Sequence, residues 1–71
     1  MYLQRLRDMR NDFDLSQQQV ADILGIQQTV YSRYERGFQT IPLAHLVKLA
    51  DHYNVSLDFL TGRTNKTEIN R

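Results

Sequence analysis

Residues 17–37, QQQVADILGIQQTVYSRYERG, decide how this 71-residue chain is read. They hold two short helical runs separated by a tight turn. Ser16 is placed to cap the first run and Gln19, three residues later, completes a capping box, while Leu15 and Val20 stand where a hydrophobic staple would. Val20, Ala21, Ile23 and Leu24 then supply apolar residues, and Gly25 stops the helix at a position suited to positive φ. Only Ile26 and Gln27 precede the second run, Gln28 to Arg36, which ends at Gly37.

At roughly 100° per residue, Val30, Tyr31 and Tyr34 of the second run share an apolar arc. Gln28, Thr29, Ser32, Arg33 and Arg36 share a polar arc that contains no carboxylate. Gln can make two hydrogen bonds to an adenine edge, and Arg two to a guanine edge. A helix with this face, held by a short turn against a preceding helix, has the shape that enters a DNA major groove.

Three more helices are expected around this pair. One runs from Tyr2 to about Asp12, one from about Pro42 to Tyr53, and a short one from Leu57 to Leu60 behind a Ser56 cap. Asp14, in the first link, tolerates a left-handed backbone. Leu43, Leu46, Val47, Leu49, Ala50 and Tyr53 span a wide arc, so the fourth helix should back the whole motif. The expected fold is all-α, a five-helix bundle over residues 1–62. Residues 63–71 form a polar, flexible tail whose one apolar residue is Ile69.

Two charges sit where charges should not. Arg10 falls in the middle of the apolar arc of Leu3, Leu6 and Met9, and Glu35 lies beside Tyr31 at the edge of the other apolar face. A buried charge needs a partner, so the two are assigned to each other.

A chain this short holds one domain with a modest core, which efficient packing or dimerisation must support. Absence of cysteine excludes disulfides, thiolate catalysis and cysteine zinc sites. No apolar run approaches the roughly 18 residues of a membrane span and no signal-peptide pattern opens the chain, so a cytoplasmic protein is expected. The net charge of +1 does not by itself point to nucleic acid; that case rests on where the charges lie. His45 and His52 are too far apart on one helix to share an ion and read as surface residues. No catalytic triad, Gly-rich phosphate loop or paired carboxylate is evident. The expectation is no metal, no cofactor and no enzyme.

The chain resembles the phage-repressor type of helix-turn-helix domain, the Cro/repressor or XRE-like family with the lambda-repressor-like fold. The resemblance rests on Leu15-Ser16-Gln17, Ala21, Gly25, Ile26, Ser32 and Glu35-Arg36-Gly37 at the family's spacing, with Arg10 before them and Pro42, Leu46, Ala50, Val55, Ser56 and Leu60 after. It implies sequence-specific binding of double-stranded DNA by a small transcriptional regulator, most simply a repressor, of bacterial, phage or mobile-element origin. It carries base reading to Gln28, Thr29, Ser32 and Arg33 and a phosphate contact to Gln17, which can also brace Gln28. It also makes Arg10 and Glu35 a structural ion pair.

Two departures stand out. Tyr31 occupies a position that usually holds a smaller aliphatic residue, and its hydroxyl needs a partner or a phosphate-facing edge. After Gly37, where several relatives carry Lys and Arg, this chain has Phe38, Gln39, Thr40 and Ile41. Backbone N–H groups and the Gln39 and Thr40 side chains are left as phosphate donors. The charge of the grip is expected mainly from Arg36 and Arg33, with Arg5, Arg7 or the tail in addition, and the salt dependence should be shallow. One such domain reads few base pairs, so a homodimer on a palindromic operator is expected, touching around Leu57, Asp58 and Phe59. The rival expectation is a protein-interaction module on the same fold, an antitoxin or adaptor, whose partner would use the C-terminal tail.

Overall fold

The computed structural model describes residues 3–68, arranged as α1 (Gln4–Asp12), α2 (Gln17–Leu24), α3 (Gln28–Glu35), α4 (Leu43–Tyr53) and α5 (Leu57–Leu60). All five expected helices are present; Tyr2 and Ile69 lie outside the described residues. Pro42 sits at the N-cap of α4 rather than in its first turn.

The five helices end alike. Each is followed by a residue with positive φ: Asp14, Gly25, Gly37, Asn54 and Gly62. The next N–H reaches back to a carbonyl five residues earlier: Leu15 to Arg10 (3.0 Å), Ile26 to Ala21 (3.0 Å), Phe38 to Arg33 (2.9 Å), Val55 to Ala50 (3.0 Å) and Arg63 to Asp58 (2.7 Å). This is the Schellman closure, which satisfies helix-end carbonyls and reverses the chain at once. At Gly25 an added Cβ would meet nothing within 4 Å, so glycine is needed there for its φ of 71° and not for space. At its other end α2 has the full capping box. Ser16 Oγ accepts from the Gln19 N–H at 3.1 Å, and Gln19 Oε1 accepts from the Ser16 N–H at 2.8 Å.

One core joins all five helices: Leu6 and Met9 of α1, Val20, Ala21 and Leu24 of α2, Tyr31 and Tyr34 of α3, Leu46, Leu49, Ala50 and Tyr53 of α4, and Leu60 of α5. Leu3, just before α1, and Ile41 and Val55, from the connections, complete it. The buried arc of α4 is narrower than expected. Leu43 is 67% exposed and Val47 40%, because positions 46, 49, 50 and 53 already fill one helical stripe.

Glu35 is the one buried charged side chain among the described residues. Arg10 meets it with a two-pronged contact, Nε to Oε2 and Nη2 to Oε1, both at 2.9 Å; its Nη1 donates to the Leu15 carbonyl at 2.9 Å. One guanidinium thus ties α1, α3 and the link into α2. Burial pushes the Glu35 carboxyl pKa up, but the Arg10 hydrogen bonds, aided by the Tyr31 hydroxyl and the Gln17 amide, outweigh it and hold the value low. The Tyr31 hydroxyl turns inward beside this carboxylate. Like that of Tyr53, it is buried without a hydrogen bond of regular geometry, so the partner expected for it is not met in that form. Burial, reinforced by the Glu35 charge, raises both phenols, Tyr53 to about 12.

Residues 63–67 carry hydrogen bonds that their composition does not predict. Arg5 Nη1 donates to the carbonyls of Phe59 (3.0 Å) and Thr64 (2.8 Å), and its Nη2 donates to Asn65 Oδ1 (2.7 Å). The same guanidinium lies 3.9 Å over the Phe59 ring, and the Ser56 N–H donates to the Thr67 carbonyl at 3.0 Å.

Urea unfolding of the wild type and Arg10→Met between pH 7 and pH 3 tests the ion pair. At neutral pH the variant should lose about 3 kcal/mol or more, since it strands a buried carboxylate. Glu35 has a folded pKa below its ordinary 4.5, so its stabilisation is complete above that value and is lost as pH falls through the lowered one. The wild-type curve should therefore drop in acid while the Arg10→Met curve is flatter. Equal midpoints at neutral pH would contradict the assignment.

Candidate nucleic-acid interface

Tyr31 and Tyr34 anchor α3 in the core, and this fixes which of its faces looks outward. Gln28, Thr29, Ser32, Arg33, Arg36 and Phe38 line one shallow depression there, with no acidic side chain among them. The four residues expected to read bases therefore stand together, joined by Arg36. Gln39 and Thr40 are exposed but do not line that depression.

The depression is connected to the core through two amides. Gln28 Nε2 donates to Gln17 Oε1 at 2.6 Å, and Gln17 Nε2 donates to Glu35 Oε1 at 3.4 Å. The expected brace between the two glutamines is present. Its direction follows from inventory: an ionised carboxylate only accepts, so it faces the Gln17 NH₂, which turns the Gln17 carbonyl toward the Gln28 NH₂. Gln28 is left with one N–H and its Oε1 for an outside partner. Those are the donor and acceptor that an adenine edge requires.

The loop after α3 differs from expectation. The N–H groups of Gly37, Phe38 and Gln39 turn back onto α3, to Tyr34 O (3.2 Å) and to Arg33 O (2.9 and 3.3 Å). They close the helix end, so they are not the phosphate donors expected from the sequence. Phe38 is 70% exposed, and the Arg36 guanidinium lies 4.4 Å over its ring. A second depression, lined by Arg7, Gln17, Glu35, Arg36 and Phe38, lies on the other side of that pair. Arg5, expected as a supplementary cation, is engaged with residues 59–65 instead. Sequence reasoning gave little weight to Arg7 and Phe38. The signal for Arg7 was its place one turn before Arg10, which puts both on one side of α1.

Among the described residues no group of three or more His, Cys, Asp or Glu side chains could hold a metal ion, and no helix is long and apolar enough to cross a membrane. His45 lies near the Tyr34 ring and His52 near Phe13 and Tyr53.

A helix-turn-helix family model matches residues 6–60, and the chain belongs to this family, the phage-repressor or XRE-like type. It is 42% identical over 65 residues to the uncharacterized HTH-type transcriptional regulator YobD of Bacillus subtilis, covering 92% of this chain and 58% of that protein. Over 60 residues it is 40% identical to the cryptic phage CTXphi transcriptional repressor RstR of Vibrio cholerae, covering 84% and 54%. The fold matches a transcriptional regulator from Listeria innocua with a TM-score of 0.79 at 25% identity, covering 87% of this chain and 61% of that one. The chain spans less than two thirds of the length of each of these proteins.

The amide chain has a spectroscopic signature. In Gln17→Ala the Gln28 side-chain NH₂ resonances should shift upfield and exchange faster with solvent, while backbone resonances of the core stay in place. Unchanged Gln28 side-chain signals would show that the two amides are not joined.

Proposed function

We propose that this chain binds double-stranded DNA sequence-specifically, with α3 in the major groove, as the DNA-reading part of a small transcriptional regulator, most simply a repressor. The observation that carries the proposal is the α3 face itself: amides, hydroxyls and guanidinium groups without a carboxylate, and a leading glutamine fixed so that a donor and an acceptor face outward. Gln28 and Arg33 are the bidentate readers of adenine and guanine, and Thr29 and Ser32 the smaller contacts. Gln17 and Arg36 take phosphates, with Gln39 and Thr40 as side-chain donors farther along the loop. Membership of the family and the names of its regulator and repressor relatives support this reading. Such a protein works beside the chromosome, in the bacterial cytoplasm.

One domain contacts too few bases for specificity, so the reading includes a homodimer on a palindrome with half-sites about one helical turn (~34 Å) apart. Its contact is assigned to Leu57, Asp58 and Phe59. Support comes from the groove that Leu57 and Asp58 line together with Val47, Ala50, Asp51, Val55 and Ser56, where the half-exposed Val47 offers apolar surface. The rival reading, a protein partner held by the tail, has less support, because residues 63–67 already bond to Arg5, Ser56 and Asp58.

Selection from a randomised duplex pool at low salt should enrich a palindrome. Gln28→Ala and Arg33→Ala should each lose about 1–3 kcal/mol on it and relax the preference at one base pair per half-site. A pool that stays random, with only weak salt-sensitive binding, would contradict the proposal.

A further inference from the structure

The depression beside Phe38 has a charge surplus that the core ion pair does not use. Arg10 alone satisfies Glu35, with both prongs at 2.9 Å and its side chain only 14% exposed. Arg7 Nε stands 4.0 Å from the same carboxylate, and its side chain is 63% exposed. Its charge is therefore not required for neutralising Glu35. Arg36, exposed and lining the same depression from the end of α3, is held over the Phe38 ring. Arg7, Arg36, Gln17 and Phe38 line this one depression, whose only carboxylate is already paired.

The place of the depression matters as much as its charge. In a helix-turn-helix complex the recognition helix enters the groove and the preceding helix crosses the sugar–phosphate backbone. This depression lies where α1, the first residue of α2 and the end of α3 meet, which that docking would turn toward the sugar–phosphate backbone.

Resting on the DNA-binding reading above, we infer that Arg7 and Arg36 close from two sides on a single backbone phosphate over Gln17. Phe38 is the positioning residue that keeps the Arg36 guanidinium turned to it. A planar guanidinium is suited to a phosphate, and stacking on an aromatic face leaves its N–H edge free to donate. A cation from α1 thus replaces the basic loop that this chain lacks. Phe38, which looks like a lost positive charge in the sequence, acts through a neighbour that has one.

The test is methylphosphonate scanning, which removes one phosphate charge at a time, on the duplex selected by the wild type. Neutralising one particular phosphate per half-site should weaken wild-type binding about tenfold. Arg7→Gln and Arg36→Gln should each bind the unmodified duplex about tenfold more weakly and be largely insensitive to neutralisation of that same phosphate. Each should also flatten the slope of log K against log salt by about 0.9 for every phosphate no longer neutralised by the protein. Phe38→Leu should blunt the sensitivity and Phe38→Tyr should retain it, while thermal melts of all four variants match the wild type. Wild-type affinity in Arg7→Gln, or desensitisation of two different phosphates by the two arginine variants, overturns the socket and leaves the groove reading standing. A wild type that selects no duplex overturns both.

Discussion

A carboxylate buried at the inner edge of α3 is the constraint to which the rest of the structure answers. Glu35 is tolerable there chiefly because Arg10 reaches across from α1 with two hydrogen bonds, while the same guanidinium also donates to the Leu15 carbonyl. The end of α1, the link into α2 and the distant end of α3 are thereby fixed in register. Apolar packing by Leu6, Val20, Leu49 and Leu60 supplies cohesion and resists sliding without any single directional contact. The ion pair adds one, since a displacement of a few ångströms would strand a charge.

That register passes outward. A carboxylate orients Gln17, Gln17 orients Gln28, and Gln28 arrives at the surface with a defined donor and acceptor. A free glutamine would have to choose its amide orientation on binding and give up rotamer freedom in doing so. A glutamine already held loses less, which is the physical value of preorganisation at the reading surface proposed for α3. The same packed unit places Arg36 and Phe38, because the Arg33 carbonyl receives the N–H groups of the following loop.

Much of this was legible in the chain. Ser16 and Gln19 declared the capping box, Asp14 and Gly25 the left-handed turns, and Arg10 and Glu35 found each other because each was anomalous on its own apolar face. What escaped depended on tertiary neighbours. Periodicity marked Leu43 and Val47 as apolar without revealing that other residues would fill the stripe first. Polar composition made residues 63–68 look free, because the guanidinium that engages them comes from Arg5, about sixty residues earlier. The backbone N–H groups of Gly37, Phe38 and Gln39 were already committed to closing α3, a fact of backbone geometry that side-chain identity does not encode. The grouping of the α3 polar face was legible, and the division of labour among its neighbours was not.

The proposed reading face requires that α3 meet DNA from the major-groove side. Dimethyl sulfate interference on the selected duplex tests it most directly, because the reagent methylates guanine N7 in the major groove and adenine N3 in the minor groove. Methylation at guanine N7 within each half-site should block binding, while methylation at adenine N3 there should be tolerated. Interference at adenine N3 alone, or at neither position, would contradict it.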